Sequence, residues 1–161
     1  MKSLFIYYSH SGNTAYVTDR FRDAFAELGK SDMFELDYLK KPNAFVRYLA
    51  QFFTYLIKIT TFPVDLKEYN VLFLGIPVID NRPSAVLIKY MGFLKNISGK
   101  KIICCYVYGV ESVARKCADF TQKFLTGKGN NKIIHVYAPY QTIYKEDFIS
   151  KLIVDTVSQI K

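Results

Sequence analysis

The stretch Leu4-Phe5-Ile6-Tyr7-Tyr8-Ser9-His10-Ser11-Gly12-Asn13-Thr14 passes from an apolar and aromatic run straight into a polar loop of mostly small residues. Leu4 to Tyr8 reads as a buried strand. From Thr14 to Leu28 the apolar residues Val17, Phe21, Ala24, Phe25 and Leu28 fall on one helical stripe, and Gly29 supplies the stop. A strand that enters a helix through such a loop is the opening of a βα unit.

The same alternation continues along the chain. Further strands are expected at Met33 to Leu39, Val71 to Ile76, Lys101 to Tyr108 and Lys132 to Tyr137. Helical period marks Ala44 to Ile59, Ser84 to Leu94, Val113 to Leu125 and Glu146 to Ile160. Near-continuous apolar strands such as Val71-Leu72-Phe73-Leu74 suit a parallel sheet covered on both faces. The expectation is therefore an α/β three-layer sandwich around a five-stranded parallel sheet. Right-handed crossovers leave few strand orders, of which 2-1-3-4-5 is the commonest. In that order a ligand lies outside the carboxyl ends of the strands, beside the first and third, which directs attention to the loops Ser9 to Thr14, Pro77 to Ser84 and Gly109 to Ser112.

The first loop suits a phosphate. Gly12 lets the backbone turn closely around an anion, Asn13 and Thr14 offer first-turn amides, and the helix dipole adds roughly half a positive charge. The hydroxyls of Ser9, Ser11 and Thr14 can complete the ring of donors. The GxxxxGK[ST] and GxGxxG patterns are both absent, which points to a monophosphate held by neutral donors. A capped helix after a turn explains the same residues without any ligand.

Composition narrows the classes further. The 161 residues carry 22 Lys plus Arg against 14 Asp plus Glu, a net charge of +8, and half of them are apolar, so a single folded domain spanning 1–161 is expected. The basic residues are scattered, and no motif accompanies them, so no nucleic-acid partner is expected. The three cysteines, two of them adjacent at Cys104 and Cys105, fit neither a disulfide framework nor a metal site. The greasiest stretch, Ala44 to Phe62, contains Arg47, Gln51 and Lys58, which excludes a transmembrane segment. The N-terminal apolar run is too short for a signal peptide, so a cytoplasmic location is the default. Excess apolar surface in the 44–62 segment either packs on the sheet and neighbouring loops or forms a contact face, a homodimer ranking above a membrane.

Ser9, Ser11, Gly12, Asn13 and Thr14 resemble, position by position, the phosphate-binding signature of the flavodoxin family. Leu74-Gly75-Ile76-Pro77-Val78-Ile79-Asp80-Asn81-Arg82-Pro83 is similar to the second flavin-facing loop of short flavodoxin-like proteins. The resemblance implies noncovalent FMN and electron transfer, the flavin supplying the redox chemistry. It implies that Ser9, His10, Ser11, Gly12, Asn13 and Thr14 surround the phosphate, that Pro77, Val78, Ile79, Asp80, Asn81 and Arg82 wall the ring, and that Tyr108, Gly109, Val110 and Glu111 close the other side. Ile79 stands where the family usually offers a stacking aromatic, and the charge is opposite to that of acidic flavodoxins, which would suit an acidic redox partner protein or anionic lipid headgroups. The alternatives are an NAD(P)H-dependent FMN or quinone reductase, for which Ile79 would leave room over the flavin, and a flavin-free interaction module. No catalytic side chain is expected, since His10 and His135 both have simpler structural roles.

Overall fold

The computed structural model describes residues 1–50, 53–60 and 64–160, with the side chains of Arg47 and Tyr48 set aside. Its strands are β1 (Lys2–Tyr7), β2 (Lys30–Glu35), β3 (Val71–Pro77), β4 (Lys101–Tyr108) and β5 (Lys132–Pro139). They form one parallel sheet in the order β2-β1-β3-β4-β5, as the alternating pattern predicts. Helices α1 (Asn13–Ala26), α2 (Ala44–Ala50), α3 (Ala85–Phe93), α4 (Glu111–Thr126) and α5 (Glu146–Ser158) complete the architecture.

Alternate side chains of each central strand enter opposite cores, which is why these strands read as unbroken apolar runs. Leu4, Ile6, Leu72, Leu74, Ile102, Cys104 and Tyr106 meet α3 and α4 on one face. Phe5, Val71, Phe73, Ile103, Cys105 and Val107 meet α1 and α5 on the other. Phe5 stacks on Phe73 at 5.0 Å and meets the edge of Phe25 at 5.3 Å, so aromatic packing fixes α1 on the sheet. Cys104 and Cys105 lie on opposite faces, and burial pushes the Cys104 thiol up to about 12 and that of Cys105 higher still. These are packed side chains, with thiols held in the protonated form.

Two boundaries differ from the sequence expectation. The second strand is not Met33 to Leu39 but Lys30–Glu35, because it pairs with β1 from Lys2↔Lys30 to Tyr7↔Glu35 and the ladder ends where β1 does. Beyond it Asp37 accepts a hydrogen bond from the Tyr38 amide through its carboxylate, turning the chain so that Leu36 and Tyr38 are both buried.

Of the helix expected over Ala44 to Ile59, Ala44–Ala50 are helical. Gln51, Phe52, Thr61 and Phe62 lie outside the described residues. Thr54–Leu56 form a separate 3-10 turn, and Ile57 is extended. The reason is tertiary. Ile57 is buried, Tyr38 pairs antiparallel with Ile59, and the Lys89 ammonium of α3 donates to the carbonyls of Thr54 and Ile57. Those contacts select an extended backbone for the β-branched residues Ile57 and Ile59. Phe45, Phe53, Tyr55 and Leu56 remain exposed along the segment.

Among the described residues, no helix is long and apolar enough to cross a membrane.

Candidate functional site

At the carboxyl ends of β1, β3 and β4 the surface opens into a cleft of about 500 Å³. Its position follows from the strand order, since the connections after β1 and β3 leave in opposite directions and part the loops. Tyr8, His10, Ser11, Asn13 and Thr14 line it from the first connection, Pro77, Val78, Ile79, Asp80 and Ser84 from the second, and Tyr108 and Gly109 from the third.

The first loop is built around Gly12, whose φ of 85° is a left-handed conformation that glycine adopts without strain. The Ser9 hydroxyl oxygen accepts hydrogen bonds from the Gly12 amide at 3.1 Å and the Ala15 amide at 3.4 Å. Ser9 therefore braces the turn and satisfies one of the orphan donors of α1. The amides of Asn13 and Thr14, the first two residues of that helix, have no intrahelical acceptor. With the exposed Ser11 beside them they make a compact array of neutral donors at a helix N-terminus.

Gly75, placed on the ring-facing loop by the resemblance, is instead buried within β3 under α1. A Cβ there would stand 2.6 Å from the Thr18 hydroxyl and 3.0 Å from Thr14 Cγ2. This glycine is what lets α1 approach the sheet.

The loop after β3 is tied to its neighbour by the Val78 amide, which donates to the Val107 carbonyl at 2.9 Å. Ser84 ends the loop as the N-cap of α3, accepting from the Leu87 amide. Ile79 is 59% exposed, so the position where the sequence lacks an aromatic presents an open aliphatic edge. Asn81 and Arg82 lie outside the cleft wall, the Arg82 guanidinium sitting 5.3 Å above the Phe120 ring on α4. Val110 and Glu111 also lie outside it: Val110 is exposed, and Glu111 pairs with Arg115 one turn along α4 at 2.6 Å.

Sequence reasoning missed several parts of the wall. Tyr38 and Ala44 arrive from the connection after β2, Val107 from β4 and Tyr140 from the loop after β5. No local motif marks them, because each is brought in by packing. Tyr8 and Tyr108 are almost fully buried, and burial holds the Tyr108 hydroxyl above its ordinary pKa, so it stays protonated at neutral pH. A polar pocket of about 220 Å³ adjoins the cleft and shares Tyr8, His10 and Tyr38 with it, adding Ser9, Glu35, Asp37 and Lys41. Among the described residues no cluster of His, Cys, Asp and Glu could hold a metal ion.

Comparison with protein-family models and with curated protein sequences gives no match. Solved structures do match. The chain superposes on a flavodoxin from Streptococcus pneumonia TIGR4 with a TM-score of 0.61 at 15% identity, covering 96% of this chain and 94% of that one. An azoreductase from Bacillus anthracis str. Sterne gives 0.59 at 13% identity over 99% and 98% of the two chains. An NADH:FMN oxidoreductase gives 0.67 at 10% identity over 99% and 88%. This chain has the flavodoxin-like fold. The neighbours thus include a flavodoxin, an azoreductase and an NADH:FMN oxidoreductase, and the shared fold by itself does not choose among their activities.

Proposed function

We propose that this flavodoxin-like protein binds FMN in the cleft and transfers electrons through it. The observation that carries the reading is the first loop: first-turn amides of Asn13 and Thr14, a left-handed Gly12 and the Ser11 hydroxyl stand together at the open end of a cleft. That donor set fits a phosphate monoester, and the Pro77-Val78-Ile79 wall fits a planar apolar ring. FMN carries both groups. When bound, it supplies the redox chemistry, while the chain binds it, orients it and limits its exposure to water.

The chain's charge of +8, with Lys41 beside the cleft, suits a redox partner that presents carboxylates. A second reading, an NAD(P)H-dependent reductase, is favoured by the open edge at Ile79 and by the adjoining pocket, where Glu35 and Asp37 could accept hydrogen bonds from ribose hydroxyls.

Purified protein mixed with excess FMN and freed of unbound flavin by gel filtration is expected to keep the yellow absorption of oxidised flavin. A colourless product rejects the reading. If flavin is retained, NADH or NADPH oxidation in the presence of a quinone and no added reductase selects the enzyme over the carrier.

A further inference from the structure

The loop that follows β5 touches both of the loops that the FMN reading uses. Ile143 is fully buried in the core beneath α5 and pegs the segment. On one side of this peg the Tyr140 amide donates to the Tyr108 carbonyl at 2.9 Å, and the Tyr140 ring lies over Gly109. A Cβ at Gly109 would stand only 2.6 Å from Tyr140 Cε1, so the absence of a side chain at the end of β4 is what seats the ring there. On the other side Tyr144 donates its hydroxyl to Asn13 Oδ1 at 2.7 Å, and its ring packs on Tyr16 of α1 at 4.7 Å. One short segment thus joins the phosphate loop to the opposite wall of the cleft.

Among the described residues four tyrosines line that cleft, and they are not equivalent. Tyr8, Tyr38 and Tyr108 are each less than a tenth exposed and spend their ring surfaces on the core, whereas Tyr140 is 47% exposed. The connection between β4 and α4 is only Gly109 and Val110, too short to reach back over the cleft, and Ile79 offers no ring from the other loop. We infer that Tyr140 is the aromatic wall of the flavin site and that Tyr144 is a positioning residue, strapping the same loop to Asn13 so that ring wall and phosphate loop keep a fixed separation. This rests on the FMN reading above and names residues of that same site which the flavin-loop motifs do not contain.

The test compares FMN with riboflavin, which has the ring but lacks the phosphate. Binding and the fluorescence of bound flavin are measured for the unmodified chain, Tyr140→Leu, Tyr140→Phe and Tyr144→Phe, with far-UV circular dichroism verifying the fold. A ring stacked on flavin quenches its fluorescence, so Tyr140→Leu should at least double the emission of bound flavin and weaken FMN and riboflavin alike by about tenfold. Tyr140→Phe should match the unmodified chain within twofold, since the Tyr140 hydroxyl makes no hydrogen bond among the described residues. Tyr144→Phe should weaken FMN about threefold or more and leave riboflavin within twofold. Unchanged emission and affinity in Tyr140→Leu overturn the ring assignment while the FMN reading stands. Equal effects of Tyr144→Phe on both flavins, or none on either, overturn the strap. An unmodified chain that binds neither flavin overturns the FMN reading and this inference with it.

Discussion

Thr18 of α1 packs so closely on Gly75 of β3 that a Cβ at position 75 would stand 2.6 Å from the Thr18 hydroxyl and equally close to Tyr7 Cβ. Thr18 cannot swing away easily, because its hydroxyl donates to the Thr14 carbonyl at 2.8 Å inside the core. The strand and the helix that the Ser9 to Thr14 loop leads into are therefore held in contact by a missing methyl group.

Gly75→Ala is expected to lose about 1–3 kcal/mol of stability, the usual range for overpacking a tight core. Because α1 must back away from β3 with Thr14 at its first turn, FMN affinity should fall as well. Urea denaturation and flavin titration of the same preparation check both effects; a variant as stable as the unmodified chain would contradict the contact.

Ser9 and Ser11 separate structure from binding within one loop. Ser9→Ala removes the oxygen that accepts from the Gly12 and Ala15 amides and should cost about 1 kcal/mol, as the loss of a helix-capping side chain typically does. Ser11 is exposed, so Ser11→Ala should leave stability almost unchanged. Combined with Thr14→Ala, it should weaken FMN binding at least about tenfold, corresponding to one lost hydrogen bond to a charged group. Equal FMN affinity in the double variant and the unmodified chain would return the loop to a purely capping role.

His135 should impose a pH dependence on stability. Its Nδ1 lies 3.1 Å from the Tyr106 hydroxyl and its Nε2 2.8 Å from Gln122 Oε1, an arrangement that suits the neutral ring with Nε2 donating to Gln122 and Nδ1 accepting from Tyr106. Burial lowers its folded-state pKa below the ordinary 6.5, against a smaller opposing pull from Asp119. The unfolded chain therefore binds a proton that the folded chain resists. The stability penalty grows as pH falls below the unfolded value and disappears above it. Urea midpoints should rise from about pH 5 to about pH 7 more steeply in the unmodified chain than in His135→Gln; parallel profiles would show that this ring does not titrate against folding.

Gly12 can be probed independently of any neighbour, since a Cβ there would meet nothing within 4 Å. The cost of Gly12→Ala is then the left-handed backbone alone, about 1–2 kcal/mol. Gly12→Asn should cost less, because asparagine tolerates that conformation. Chemical denaturation of the two variants tests the order, and a more stable alanine variant would reject the conformational explanation.

The sequence alone determined the α/β alternation, the parallel sheet and the glycine turn that leads into the first helix, because these are written in local patterns: apolar runs of strand length, a helical stripe from Val17 to Phe25, and Gly12 set among Ser9, Ser11 and Thr14. Hydrophobic period reports which face is buried, and burial dominates the choice of fold class. It reports poorly where an edge strand is half-polar, as at Lys30-Ser31-Asp32, whose pairing is set by the length of β1. Nor does it show that Ile57 leaves helical geometry to be buried beside α3, a choice made by the Lys89 hydrogen bonds and the Tyr38–Ile59 bridge. The cleft divides in the same way. Its first wall was legible because a turn and a helix start need particular residues in sequence. Tyr38, Ala44 and Tyr140 were not, because their positions are fixed by packing between segments far apart in the chain, and Gly75 and Gly109 take their meaning only from the Thr18 hydroxyl and the Tyr140 ring that tertiary structure brings against them.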